Sequence, residues 1–192
     1  MNEPIDWDQL EQERQARRDA GLPAVSVLEV IIGEDRIREA VDFYVAHAYR
    51  DSTELVLSFL RRFRPLSGMQ RCYEIYKTSP DIRDRRTALS LLKDFADGHT
   101  LGWVEEFLTD PDTGVQDQGI NLLDMLLFGG GIRENEEAME KAKELLAFAQ
   151  KHERPAIREK AAALQEWEAT RETHDARYDA FLASNPDLPK IY

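Results

Sequence analysis

Three stretches of the chain leave a turn residue and enter the same helical pattern, and an internal repeat of this kind restricts the fold more than any single residue does. Pro80-Asp81-Ile82-Arg83 leads to Leu89 and Leu92, Asp112-Thr113-Gly114-Val115-Gln116 to Gly119, Leu122 and Met125, and Pro155-Ala156-Ile157-Arg158 to Ala161, Leu164 and Trp167. In each, an aliphatic residue is followed by a long polar one, then by small or apolar residues at helical spacing. A unit of that size cannot bury its apolar side alone. It must stack on its neighbours, which yields an extended surface in place of a closed pocket.

The rest of the chain reads as nearly uninterrupted helix. Asp6 to Ala20 carries Trp7, Leu10 and Ala16 on a strongly charged segment closed by Gly21 and Pro23, and reads as a capping helix or arm. Val25 to Ile32 clusters β-branched residues but has no second strand to pair with, so it is expected to be buried helix or packed turn. Helices are expected over Glu34 to Tyr49, from the cap Ser52-Thr53-Glu54 to Pro65, and over Ser67 to Thr78, Asp81 to Ala96 and Thr100 to Thr109. Asp112 to Phe128 follows, ending at Gly129-Gly130-Gly131, where each glycine costs roughly 1 kcal/mol against alanine in a helix. Glu134 to Lys151, Ala156 to Thr170 and a separate last helix from Arg171 to Ser184 precede the tail at Asn185 to Pro189. Antiparallel pairs with short links and a period of roughly 33 to 42 residues describe an all-α, right-handed solenoid. It reads as a single domain of 192 residues: capping helices over 1–50, repeated pairs over 51–170, and a capping helix with tail over 171–192.

The [Ile/Val]-[Arg/Gln] pair shortly after a turn residue, with a small residue four positions after the aliphatic one and leucines beyond, resembles the second helix of a HEAT repeat. The resemblance is best in Asp112 to Met125 and clear in Pro155 to Trp167, while Arg86 takes the small residue's place in the copy at Pro80. It covers about Ser52 to Thr170. It implies that Arg83, Gln116 and Arg158 are structural, bonding the turn of a neighbouring repeat with Asp81 and Asp112 as partners or caps. It also implies binding to other proteins, as most families of this fold do, although some small members look like base-flipping enzymes or toxin inhibitors. Trp103 and Trp167 lie at helical spacing with other apolar residues, so core packing is expected of them.

No catalytic or metal-binding set emerges. His47, His99, His152 and His174 fall on separate segments, and none has a partner at the i+3 or i+4 spacing that places two ligands on one helix face. His174-Asp175 resembles the paired His-Asp of HD-type phosphohydrolases, for which His47 and Asp179 or Asp187 are the available complements. No P-loop, nucleophile elbow or dinucleotide fingerprint occurs, so no enzyme activity and no cofactor are expected. A lone cysteine, Cys72, excludes an internal disulfide and fits a reducing cytoplasm. The longest apolar run is too short to span a bilayer, so no membrane partner is expected.

Charge is the more informative property. The formal net charge is −12, which repels phosphate backbones and makes a nucleic acid an unfavourable partner and a basic protein a favourable one. Asp97 to Glu144 holds much of it, a net of about −9, whereas Arg61 to Arg86 is dominated by arginine. With Val115, Leu122 and Leu126 inward, Asp117, Asn121 and Asp124 form one stripe at i, i+4 and i+7. That stripe, with Glu105 and Glu106, is the expected binding face for a basic protein, possession of which suits an inhibitor of immunity or antitoxin type. A general scaffold or adaptor is the alternative, followed by an HD-type phosphohydrolase or a HEAT-like DNA glycosylase. The glycosylase would need a basic concave surface.

Overall fold

Asp81, Asp97, Asp112 and Asn135 each turn a side-chain oxygen back onto the following backbone, and these four contacts mark where four of the elements begin. Asp81 accepts from the Arg83 amide at 2.8 Å, Asp97 from His99 at 2.9 Å, Asp112 from Val115 at 3.0 Å and Asn135 from Ala138 at 3.0 Å. Each satisfies an amide that the first helical turn cannot.

The computed structural model describes residues 27–48, 50, 53–128, 132, 133 and 135–184, with side chains for Glu29, Ile31 and Ile32 in the first helix and as far as Arg171 in the last. Among the described residues every regular element is helical. They are α1 (Val27–Ile32), α2 (Glu34–Ala46), α3 (Thr53–Phe63), α4 (Leu66–Thr78), α5 (Ile82–Phe95), a 3-10 turn (Gly98–Thr100), α6 (Leu101–Leu108), α7 (Thr113–Phe128), α8 (Glu136–Ala149) and α9 (Pro155–Ser184). From Val27 to Ile32 the β-branched run is helix, but the burial expected of it fails at Ile31 and Ile32, which are 48% and 36% exposed. The expected arm at Asp6 to Ala20, the Ser52 cap, the glycine break at Gly129-Gly130-Gly131 and the tail from Asn185 lie outside the described residues.

One boundary differs. In place of two helices meeting at Thr170 and Arg171, α9 runs unbroken over 30 residues. Its sequence has no glycine, and its only proline is Pro155 at the first position, where the missing amide costs nothing. Nothing in between stops propagation.

Consecutive helices pack in pairs, α4 with α5, α6 with α7 and α8 with α9, while α2, α5, α7 and α9 form a second chain of contacts, each touching the next. The core lies between them and is filled by Ile37, Leu60, Met69, Phe95, Phe107 and Leu123, each with essentially no exposure. At Gly119 the helices α6 and α7 come so close that a Cβ would stand 2.9 Å from Phe107 Cβ and 3.2 Å from the Leu108 nitrogen. A small residue is therefore required there. No helix among the described residues is long and apolar enough to cross a membrane.

Candidate functional site

Val115, Leu122 and Leu126 on α7 are buried, as the spacing dictates, and Asp117, Asn121 and Asp124 occupy another side of the helix. That side is only partly open to solvent, with the Asp117 side chain keeping 49% of its exposure. Arg154, just before α9, pairs with Asp117 at 2.9 Å, and Lys160 on α9 donates to Asn121 Oδ1 at 2.5 Å and to Asp124 at 2.7 Å. The Asp124 side chain keeps 30% of its exposure. The stripe is therefore a seam between α7 and α9 whose negative charge is met within the molecule. Helix spacing revealed the shared side but not the cations, which come from about 40 residues further along the chain.

Glu105 and Glu106 are adjacent on α6 but differ in surroundings. Glu106 binds Lys77 and accepts from the Tyr73 hydroxyl at 2.6 Å. Burial pushes its carboxyl up, yet the bonds from Lys77 and Tyr73 outweigh that and hold it below the usual carboxylate range. The hydrogen bond to Glu106, with burial adding, pushes the Tyr73 phenol up to about 12. Glu105 is exposed.

Several arginines of the arginine-rich stretch pair with acids of other segments, while Arg62, Arg64 and Arg83 stay exposed. Arg61 pairs with Asp94 at 3.0 Å, Arg71 with Asp42 at 2.8 Å, and Arg38 with Glu74. Arg85 reaches Asp110 at 2.6 Å, and Arg86 grips Asp112 with bonds of 2.8 and 2.7 Å. Asp110 is buried and also accepts from the Tyr76 hydroxyl at 3.0 Å. Burial and Asp110 together push the Tyr76 phenol up. A polar hollow of about 380 Å³ opens here between Tyr76, Lys77, Ser79, Arg85, Glu106 and Asp110. Its cations and acids are paired across the helix junction, joining α4 and α5 to α6 and the link that follows it.

The residues expected to brace neighbouring repeats do so unevenly. Gln116 donates to the Asp110 carbonyl at 2.8 Å and receives Arg154 at 3.0 Å, linking three segments. Arg158 turns back on the preceding loop, donating to the carbonyls of His152 and Glu153. Arg83 is exposed, and Arg85 and Arg86 take the bridging role. Trp103 stacks on Tyr73 with ring centres 4.5 Å apart and packs partly buried on the core. Trp167 lies 3.8 Å from the Phe128 ring, with the Arg133 guanidinium 5.5 Å away on the same indole. Arg133 also donates to the carbonyls of Leu127 and Phe128, closing α7.

Among the histidines, His152 Nε2 bonds the Leu108 carbonyl at 2.9 Å and its Nδ1 accepts from the Arg154 amide at 3.1 Å. His47 Nδ1 bonds the Phe43 carbonyl. The side chains of His174 and Asp175 lie outside those described. Among the described residues no cluster of His, Cys, Asp or Glu is placed to hold a metal ion.

With so many cations engaged inside the stack, the acids that remain on the surface stand out. Glu105 on α6 and Glu136 and Glu137 at the start of α8 are exposed, take part in no ion pair among the described residues, and sit on two helices in contact. Spacing along α7 gave no hint of Glu136 and Glu137, which lie on another helix; exposed acids without an ion pair also occur at Glu34, Glu54 and Glu159, and what joins these two to Glu105 is the contact between α6 and α8. Comparison of the chain with protein-family models, with curated proteins and with solved structures finds no match.

Proposed function

We propose that the chain is a right-handed, HEAT-like solenoid of antiparallel helix pairs that acts by binding a basic protein and catalyses no reaction, most specifically as an acidic inhibitor of immunity or antitoxin type. The pairing of α4 with α5, α6 with α7 and α8 with α9, and the contact chain through α2, α5, α7 and α9, support the architectural part. One observation carries the functional part. Arg38, Arg61, Arg71, Lys77, Arg85, Arg86, Arg154 and Lys160 all pair with acids on other segments, and although Arg62, Arg64 and Arg83 stay exposed without an ion pair among the described residues, the net charge of −12 leaves acids in excess in the field that reaches solvent. Such a field speeds the capture of a cationic protein and repels nucleic acid. The contact face moves accordingly from the α7 stripe to Glu105, Glu136 and Glu137.

The test is affinity capture from the native cell with two baits, the wild-type chain and the triple variant Glu105→Lys, Glu136→Lys, Glu137→Lys, followed by binding kinetics on the recovered partner at low and high salt. A basic partner whose association slows in the triple variant and with rising salt is the expected result. A partner of acidic charge, or one indifferent to the three lysines, would sink the reading.

A further inference from the structure

Helix α3 is buried along Thr53, Leu57 and Leu60, and its outer side is mixed in character. Leu55 is 80% exposed, more than any other large apolar residue described, and Phe63, two turns on, is 43% exposed. Phe59 between them packs on the core and offers little. Glu54 is exposed at the start of the helix, Arg62 and Arg64 at its end, and none of the three makes an ion pair among the described residues. Arg61 beside them is taken by Asp94. The face therefore carries an unmatched acid at one end, two unmatched cations at the other, and exposed apolar side chains next to both.

The backbone of Arg64 is an independent sign. Its amide closes the helix by donating to the Leu60 carbonyl at 2.8 Å, and its φ is 45°, the only positive value at a non-glycine position among the described residues. Glycine takes that left-handed conformation freely, whereas a side chain is crowded in it. The Arg64 guanidinium makes no ion pair or hydrogen bond among the described residues, so nothing described in the fold offsets the strain.

We propose that this face is the two-fold interface of a homodimer, in which α3 crosses α3 of a second copy in the antiparallel sense. Leu55 and Phe63 lie four residues to either side of position 59, about 6 Å each way along the helix, and Glu54 and Arg64 lie five to either side. A two-fold axis at that midpoint sets Leu55 against Phe63 of the second copy, and Glu54 beside Arg64 and Arg62 of the second copy, with each contact made twice. A parallel crossing would set the arginines against their equals. A basic partner would leave the arginines unmatched and an acidic one would leave Glu54 unmatched, so the best complement of this face is its own reverse. One helix face is a small interface, and the pair is accordingly in exchange with free chains at micromolar concentration. None of these residues belongs to the acidic face of Glu105, Glu136 and Glu137, so pairing and the capture of a basic protein are separable.

Sedimentation velocity on the full-length chain between about 1 µM and about 500 µM tests the pairing. The wild type should pass from one chain to two as concentration rises, and Leu55→Lys should weaken association by at least about tenfold. Arg64→Gly should weaken it too, yet leave the thermal stability of the dilute, monomeric protein undiminished, because glycine relieves the backbone. Exchange of charge decides the geometry. Glu54→Arg and the double variant Arg62→Glu/Arg64→Glu should each be monomeric alone and should form a mixed dimer when combined, since the charges at both ends of the face are then all positive on one chain and all negative on the other. Unchanged helix content and unchanged hydrogen-exchange protection around Leu123 report that each variant is folded, and every substituted position is exposed. A wild type that stays monomeric over the whole range gives the face to another occupant and overturns the pairing. A dimer indifferent to Leu55→Lys overturns it as well, as do charge variants that fail to pair on mixing.

Discussion

Arg86 reaches Asp112 with two hydrogen bonds only because residue 114 has no side chain: a Cβ at Gly114 would stand 2.5 Å from Arg86 Nε. The guanidinium lies over that glycine on its way from α5 to the carboxylate that also caps α7. Gly114→Ala should barely alter stability, since alanine gains up to about 1 kcal/mol in helix propensity while a half-exposed ion pair is worth about as much. The informative quantity is coupling. A double-mutant cycle on Arg86→Ala and Asp112→Ala should show an interaction of about 0.5–1 kcal/mol in the wild type and almost none in the Gly114→Ala background.

Gly119 and Gly102 should respond oppositely to the same change. At Gly119 an added methyl meets Phe107 Cβ and the Leu108 backbone, which cannot swing aside, so Gly119→Ala should destabilise by about 1–3 kcal/mol. At Gly102 nothing lies within 4 Å, and Gly102→Ala should be neutral or stabilise by up to about 1 kcal/mol. Denaturant midpoints with unchanged slopes would read both.

Leu123 is fully buried and Met125, two positions on, is 42% exposed. Leu123→Ala should cost about 2–5 kcal/mol and Met125→Ala under about 1 kcal/mol. Equal losses in thermal unfolding would mean that α7 is rotated from the position described.

Stability should be level above about pH 5 and fall as the pH drops through about 4 and below. The hydrogen bond from Arg86 holds the Asp112 carboxyl below the usual range, and that from Arg38 does the same for Glu74. A carboxyl depressed in the folded state binds its proton more readily once unfolded, so its contribution is complete above the unfolded value and disappears as the folded value is crossed. Asp112→Asn should therefore be less stable than wild type at neutral pH and approach it in acid. Tyr73 works in the other direction. With its phenol pushed up to about 12, its contribution is complete below the ordinary tyrosine value of roughly 10 and is lost as pH climbs above that, and an absorbance titration should show a late-ionising tyrosine that Glu106→Gln brings forward.

The helices were legible in the sequence because their signals are local. Asp81 and Asp112 announce caps within three residues of the amides they bind, and Val115, Leu122 and Leu126 announce an inward side within four turns. The charged residues were legible only as a composition. Asp117 and Asp124 look like an open ridge until α9 and the residue before it bring Lys160 and Arg154 against them, and Arg85 and Arg86 look like part of a basic patch until the link between α6 and α7 presents Asp110 and Asp112. No periodicity within one helix encodes which cation a neighbouring helix will supply. The break expected at Arg171 had no residue to make it, and α9 continues through it.

Arg133 does two things with one guanidinium: it satisfies carbonyls at the end of α7 and lies against Trp167 of α9. The fraying of these two helices is therefore a linked equilibrium. Whatever draws Trp167 off its seat removes the aromatic surface that holds Arg133 in place, and the last turn of α7 loses its closing group at the same moment; whatever melts that turn loosens α9 by the same free energy.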